Sequence, residues 1–124
     1  SRHGGAGGAI VNLSSAAARL GSPNEYVDYA AAKAAVDTLT IGLAKEVGDE
    51  GIRVNAIAPG WIATPLTKAL QDDPQRSAPI LARTPMKRWG IPADVVGPVM
   101  FLASPNAQFV TGVILPVDGG YLIS

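Results

Sequence analysis

The chain has no cysteine and a single histidine, His3, among its 124 residues. The first absence excludes a disulfide framework and any thiolate metal site. The second leaves no imidazole partner for a nucleophile: His3 has no Asp or Glu at ligand spacing, reads as solvent-exposed, and suggests no metal site. Net charge is also missing, with Lys plus Arg and Asp plus Glu both at 10. Such a balance makes no broad field for nucleic acid or an anionic membrane. Every apolar run is cut by Gly, Pro or a charge well short of the ~20 residues that a membrane helix needs. Nor does Ser1-Arg2-His3-Gly4-Gly5 contain the apolar stretch of a signal peptide. A cytoplasmic protein is the expectation.

What is present points to a packed core. Hydrophobic residues make up 48% of the chain and charged residues 16%, which suits one folded domain and leaves too little chain for two. Three apolar, β-type runs stand out: Gly8-Ala9-Ile10-Val11-Asn12-Leu13, Ile52-Arg53-Val54-Asn55-Ala56-Ile57-Ala58 and Val113-Ile114-Leu115-Pro116-Val117. Apolar residues on both faces of Ile10–Leu13 predict a parallel strand covered by helices on both sides. Each run ends in turn-forming residues, namely Ser14-Ser15, Pro59-Gly60 and Asp118-Gly119-Gly120. Ligands of open parallel sheets bind beyond these carboxyl ends, so position gives Ser14 and Ser15 a functional reading beside the plainer one of a turn.

Between the first two runs lies Tyr29-Ala30-Ala31-Ala32-Lys33. Alanine favours helix, and residues four apart on a helix share a face. Tyrosine ordinarily holds its proton to a pH of about 10, but a nearby cation favours the phenolate. The spacing therefore supplies an acid/base device, although by itself it is also common on ordinary surface helices. Ser22-Pro23-Asn24-Glu25 fits a capping box with Pro at the first helical position, predicting a helix to about Val47 that Gly48 and Gly51 end. Val36, Leu39, Leu43 and Val47 recur at three- and four-residue steps and form the predicted buried stripe. Asn55, inside the second run, is expected to make a structural hydrogen bond.

The glycine run Gly4-Gly5-Ala6-Gly7-Gly8 invites a phosphate-loop reading, but a dinucleotide fingerprint follows a strand and opens a helix, and here the strand comes after it. A flexible turn is the plainer reading. Residues 65–91 read as a lid of short helical pieces punctuated by Pro65, Pro74, Pro79, Pro85 and Gly90. Leu66, Leu70, Ile80, Leu81 and Met86 suggest an apolar cover, and Asp72-Asp73 and Lys87-Arg88 read as solvated surface. Pro92 opens the last helix, with Asp94 in its first turn where the dipole favours negative charge. Pro98 inside that helix should bend it.

Hydroxyls after one strand, Tyr-x-x-x-Lys on the next helix, Pro-Gly after the next strand and Asp-Gly-Gly after the last: this order, from Gly8 to Tyr121, resembles the short-chain dehydrogenase/reductase family. The resemblance implies an α/β fold, a Rossmann-like doubly wound parallel sheet, with residues 1–124 as its C-terminal part (strand–helix–strand–lid–helix–strand). It implies hydride transfer between NAD or NADP and a carbonyl or secondary alcohol. Ser15, Tyr29 and Lys33 take the catalytic roles. Tyr29, Lys33, Pro59, Gly60, Ile62 and Thr64 border the cofactor, with the Ile62 backbone meeting the carboxamide. Ser15, Ala17, Tyr26 and Trp61 line the substrate, Tyr26 at the pocket rim. The serine-to-tyrosine interval is one residue longer than the family's usual one, which favours Ser15 over Ser14. A fourth catalytic group, an asparagine, and the glycine-rich phosphate turn would lie upstream, and neither Asn12 nor Asn55 sits where it could replace that asparagine. The family also packs this helix and the Asp-Gly-Gly end between subunits, implying a homodimer or homotetramer. A rival reading is an oligomerisation or binding module without a cofactor pocket. A serine hydrolase using Ser15 is disfavoured, since there is no Gly-x-Ser-x-Gly elbow.

Overall fold

The computed structural model describes residues 4–124, so His3 and the two residues before it lie outside the described part. Three strands, β1 (Gly8–Leu13), β2 (Ile52–Pro59) and β3 (Ile114–Val117), form a parallel sheet in the order β1-β2-β3. Between them run α1 (Ala17–Leu20), α2 (Val27–Val47), α3 (Lys68–Gln71), α4 (Pro74–Arg83) and α5 (Pro92–Ala103).

The middle strand carries the core. Val54, Ala56, Ile57 and Ala58 are all buried, as a strand covered on both faces requires. Within it, Asn55 is only 1% exposed and fully used: its Nδ2 donates to the Val110 carbonyl at 2.9 Å, and its Oδ1 accepts from the Val113 amide at 3.0 Å. These bonds fix the approach to β3. The expected structural role of Asn55 is thus observed.

Strand alternation tells which face each helix covers. Asn12 is the register partner of Ala56, and its Nδ2 donates to Thr40 Oγ1 on α2 at 3.0 Å. Arg53 lies an odd number of residues from Ala56, so it points to the other face. There its guanidinium donates to the carbonyls of Leu102 at 2.8 Å and Ser104 at 3.1 Å, at the end of α5. Helices α2 and α5 therefore cover opposite faces, as a doubly wound sheet requires. Both crossovers step the same way across the sheet, so the two have opposite hands.

Four expectations need correction. The first strand is touched by both α2 and α5 but is less buried than expected, with Ile10 40% and Leu13 58% exposed. The capping box at Ser22–Glu25 does not form. Ser22 and Asn24 take left-handed backbone angles (φ 44° and 64°), and the amides of Glu25 and Tyr26 bond the Ser22 carbonyl in a turn, so α2 begins only at Val27. Of the predicted α2 stripe, Val36, Leu43 and Val47 are partly buried, but Leu39 is not. Ala30, Thr40 and Ala44 are buried while Leu39 is 60% exposed, since small residues let the helix sit close to the sheet and Asn12–Thr40 sets its rotation. In the lid, Pro79 lies inside α4 rather than breaking it, and Leu66 (93%) and Met86 (60%) face outward. The helix end at Gly48, followed by left-handed Gly51 (φ 72°), is as expected.

Candidate active site

Strand ends β1 and β2 are stitched together just where the candidate residues lie. Ser14 N–H donates to the Ile57 carbonyl at 2.8 Å, and Ala16 N–H to the Pro59 carbonyl at 3.0 Å. Ser15 is thereby held beside the Pro59-Gly60 turn. Its Oγ accepts from the Ala17 amide at 3.1 Å, the first residue of α1. That bond uses the hydroxyl as an acceptor, and among the described residues nothing takes its proton, which stays free to donate. Ser14, in contrast, is buried, with its hydroxyl 3.5 Å from the Lys33 carbonyl.

Helix α2 presents Tyr29 and Lys33 on one face. The Lys33 ammonium lies 5.7 Å from the centre of the Tyr29 ring and donates to the Leu13 carbonyl at 2.9 Å. One bond thus pins the cation between the phenol and the end of β1, two residues from Ser15. Tyr29 is half-exposed, as is Tyr26, which stands at the N-cap of α2. Asn12 and Asn55 are committed to Thr40 and to the 110–113 segment, so neither is available to a substrate.

The Pro59-Gly60 turn is built around a close approach, and its neighbour is Asp118. A Cβ on Gly60 would fall 2.7 Å from Asp118 Cβ and 2.9 Å from its Cα. Gly60 N–H donates to the Val117 carbonyl at 3.0 Å, and the Asp118 carboxylate caps the amides of Gly120 and Leu122, both at 2.9 Å. The last turn is thus locked to the one that borders the site.

Beyond the turn, Ile62 forms an isolated parallel bridge with Gly90. Gly90 N–H donates to the Trp61 carbonyl at 2.9 Å, and Ala63 N–H to the Gly90 carbonyl at 2.7 Å. The N–H and C=O of Ile62 itself point the other way, and its carbonyl accepts from Thr67 Oγ1 at 2.8 Å. Thr64 caps the short turn Pro65–Thr67. Trp61 packs edge-on against Trp89 (6.0 Å) and Tyr121 (6.4 Å), and Trp89 Nε1 reaches Ser77 Oγ of α4 at 3.1 Å. Of these rings only Trp61 lines a cleft of about 520 Å³, together with Ile62, Arg88, Asp94 and Asp118. None of Ser15, Tyr29 and Lys33 lines that cleft.

Two charged residues read as plain surface are structural. Asp73 caps α4 through Gln75 N–H at 3.0 Å. Arg88 makes a bidentate pair with Asp94, at 2.7 and 3.0 Å, and Asp94 also accepts from the Ile91 amide at 2.8 Å. The bond from Arg88, then that from Ile91, hold the Asp94 carboxyl at a pKa of about 2. Six residues apart and off any helical spacing, Arg88 and Asp94 gave no sequence signal. The glycine run, for its part, lies at the far end of the sheet: Gly8 N–H donates to the Gly51 carbonyl, and Gly7 (φ 93°) packs on the same backbone. It is no phosphate loop for this site.

A strand-end serine, a Tyr-x-x-x-Lys helix and a glycine turn on a doubly wound parallel sheet define a class, and comparison with known proteins agrees. Residues 2–122 match the family model described as enoyl-(acyl carrier protein) reductase. The chain belongs to the short-chain dehydrogenase/reductase family. It is 49% identical over 119 residues to the uncharacterized oxidoreductase YgfF of Escherichia coli, covering 96% of this chain and 48% of that protein. It is 52% identical over 94 residues to a 2-dehydro-3-deoxy-D-gluconate 5-dehydrogenase of Pseudoalteromonas atlantica, covering 76% and 37%. Among solved structures, a gluconate 5-dehydrogenase from Burkholderia cenocepacia in complex with NADP and tartrate superposes with a TM-score of 0.90 at 39% identity, covering 96% of this chain and 46% of that one. A Beutenbergia cavernae protein solved with bound NADP gives 0.91 at 47% identity, covering 96% and 47%. The chain spans about half the length of the relatives it matches.

Proposed function

We propose that residues 1–124 are the C-terminal part of a Rossmann-type domain in an NAD(P)-dependent oxidoreductase that interconverts a carbonyl and a secondary alcohol. The placement of the Lys33 ammonium, shared between the Leu13 carbonyl and the face of Tyr29, carries this reading. The residues fit the nicotinamide end of such a cofactor: Lys33 for the ribose hydroxyls, the outward Ile62 N–H for the carboxamide, and Thr64, Pro59 and Gly60 beside them. When bound, the nicotinamide supplies or accepts the hydride. In the reducing direction Ser15 donates its free proton as a hydrogen bond to the carbonyl oxygen. Tyr29 delivers a proton to that oxygen as it becomes a hydroxyl. The Lys33 ammonium, 5.7 Å from the centre of the same ring, places a fixed positive charge beside the proton donor. Ala17 holds Ser15 in place by its amide, and Tyr26 stands at the rim.

The relatives support a small polyhydroxylated acid or polyol as the substrate class, since they include dehydrogenases of 2-dehydro-3-deoxy-D-gluconate and galactitol. Exposed apolar residues on α2 (Val27, Leu39, Ile41) and α5 (Val96, Met100, Phe101) support a homodimer or homotetramer. Among the described residues no helix is long and apolar enough to cross a membrane, in keeping with a cytoplasmic enzyme. The test is Tyr29→Phe in the complete enzyme. Turnover should fall by at least about 100-fold, the low end for loss of a general acid, while cofactor binding is kept. Full activity in that variant would refute the assignment. Lys33→Ala should weaken both cofactor binding and rate.

A further inference from the structure

Arg88 and Asp94 bracket Gly90, and Gly90 is bonded to the backbone on both sides of Ile62. The Asp94 carboxylate accepts two bonds from the Arg88 guanidinium and one from the Ile91 amide, and Arg88 also donates to the Trp89 carbonyl at 3.0 Å. Residues on each side of Gly90 are thereby tied to one carboxylate. Gly90 in turn holds the Trp61 carbonyl and the Ala63 amide. A Cβ there would lie 2.5 Å from Ile62 Cδ1, so a larger residue would have to push that side-chain tip aside. No helix or strand spans residues 84–91, and Lys87 carries a left-handed φ of 54°. The clasp therefore supplies geometry that regular secondary structure does not. Both partners are partly exposed (50% and 32%), where an ion pair contributes little energy, so its role is to fix a position.

We propose that Asp94 is a positioning residue, acting through Arg88 and Gly90 to aim the Ile62 N–H at the nicotinamide carboxamide. This rests on the reading of Ile62 given above. Without the carboxylate, the 88–91 segment loses the bonds that seat Gly90, and the Ile62 peptide loses one of its two supports. The other, Thr67 Oγ1 on the Ile62 carbonyl, remains. The consequence falls on cofactor affinity before it falls on the chemical step, which belongs to Ser15, Tyr29 and Lys33.

The test uses the complete enzyme with Asp94→Asn, Asp94→Glu and Arg88→Lys, and follows reduced-cofactor fluorescence titration, KM for cofactor and substrate, kcat and Tm. The wild type is titrated first, and a wild type that binds neither NADH nor NADPH sinks the oxidoreductase reading itself. With wild-type binding in hand, Asp94→Asn should raise cofactor Kd and KM by about 5- to 20-fold, more than it lowers kcat, as expected when alignment is lost away from the reacting atoms. Asp94→Glu should restore binding to within about threefold, and Arg88→Lys, charged but not bidentate, should fall between. Cofactor Kd within twofold of wild type in Asp94→Asn overturns the proposal. So does a loss shared equally by cofactor KM, substrate KM and kcat in step with Tm, in Asp94→Asn or, should that variant not fold, in Arg88→Lys.

Discussion

Replacing Asn55 by leucine isolates one buried side chain's contribution. Leucine is close in size, so little cavity term enters. The partly buried Val113 amide loses its partner, and the Val110 carbonyl keeps only a long contact, 3.4 Å, to Arg53. A buried amide left without an acceptor costs about 1–3 kcal/mol, and a weakened bond to the carbonyl about 1 more. The sum, roughly 2–4 kcal/mol, should appear as a lower urea midpoint with an unchanged slope. Asn55→Asp sharpens the point. Its carboxylate can accept from Val113 but meets the Val110 carbonyl oxygen with no proton between them. Burial there raises the acid's folded pKa. Both states are protonated below the unfolded value of about 3.9, so the penalty is small there and grows as pH rises through the folded pKa. A midpoint change worth under about 0.5 kcal/mol for Asn55→Leu, the size of a surface substitution, would show that Asn55 does not hold the approach to β3.

Two further outcomes follow from the site. Gly60→Ala forces its Cβ against the Asp118 backbone, so it should destabilise by about 1–3 kcal/mol in a urea melt; an unchanged midpoint would mean that the two turns part freely. The Asp94 carboxyl, held at about 2, is the depressed case: its stabilisation is fully present above the unfolded value of about 3.9 and is lost as pH falls towards 2. The Tm gap between wild type and Asp94→Asn should thus be constant above about pH 5 and shrink below about pH 4.

Much of this was legible in the residues. The run from Ile52 to Pro59 reads as a buried parallel strand because it is apolar on both faces and bounded by Gly51 and Gly60, and that is how it folds. Tyr29 and Lys33 share a face because helix geometry leaves no choice. The misses fall where local patterns left the outcome open. Ser22 and Asn24 had a capping pattern, but the chain turns there with positive φ and delays α2. Leu39 lost the sheet-facing side of α2 to Thr40, whose hydroxyl Asn12 could bond. The four-residue α1 is shorter than any hydrophobic period can signal, and Arg88 meets Asp94 across a loop that no regular spacing describes.

The contact between Gly60 and Asp118 bears on how kinship is weighed. Pro-Gly after one strand and Asp-Gly-Gly after another look like two separate signatures, far apart along the chain. In space they are halves of a single joint, and neither can drift without the other adjusting. A tally that scores both therefore counts one constraint twice, whereas the Tyr29–Lys33 pair stands as an independent witness.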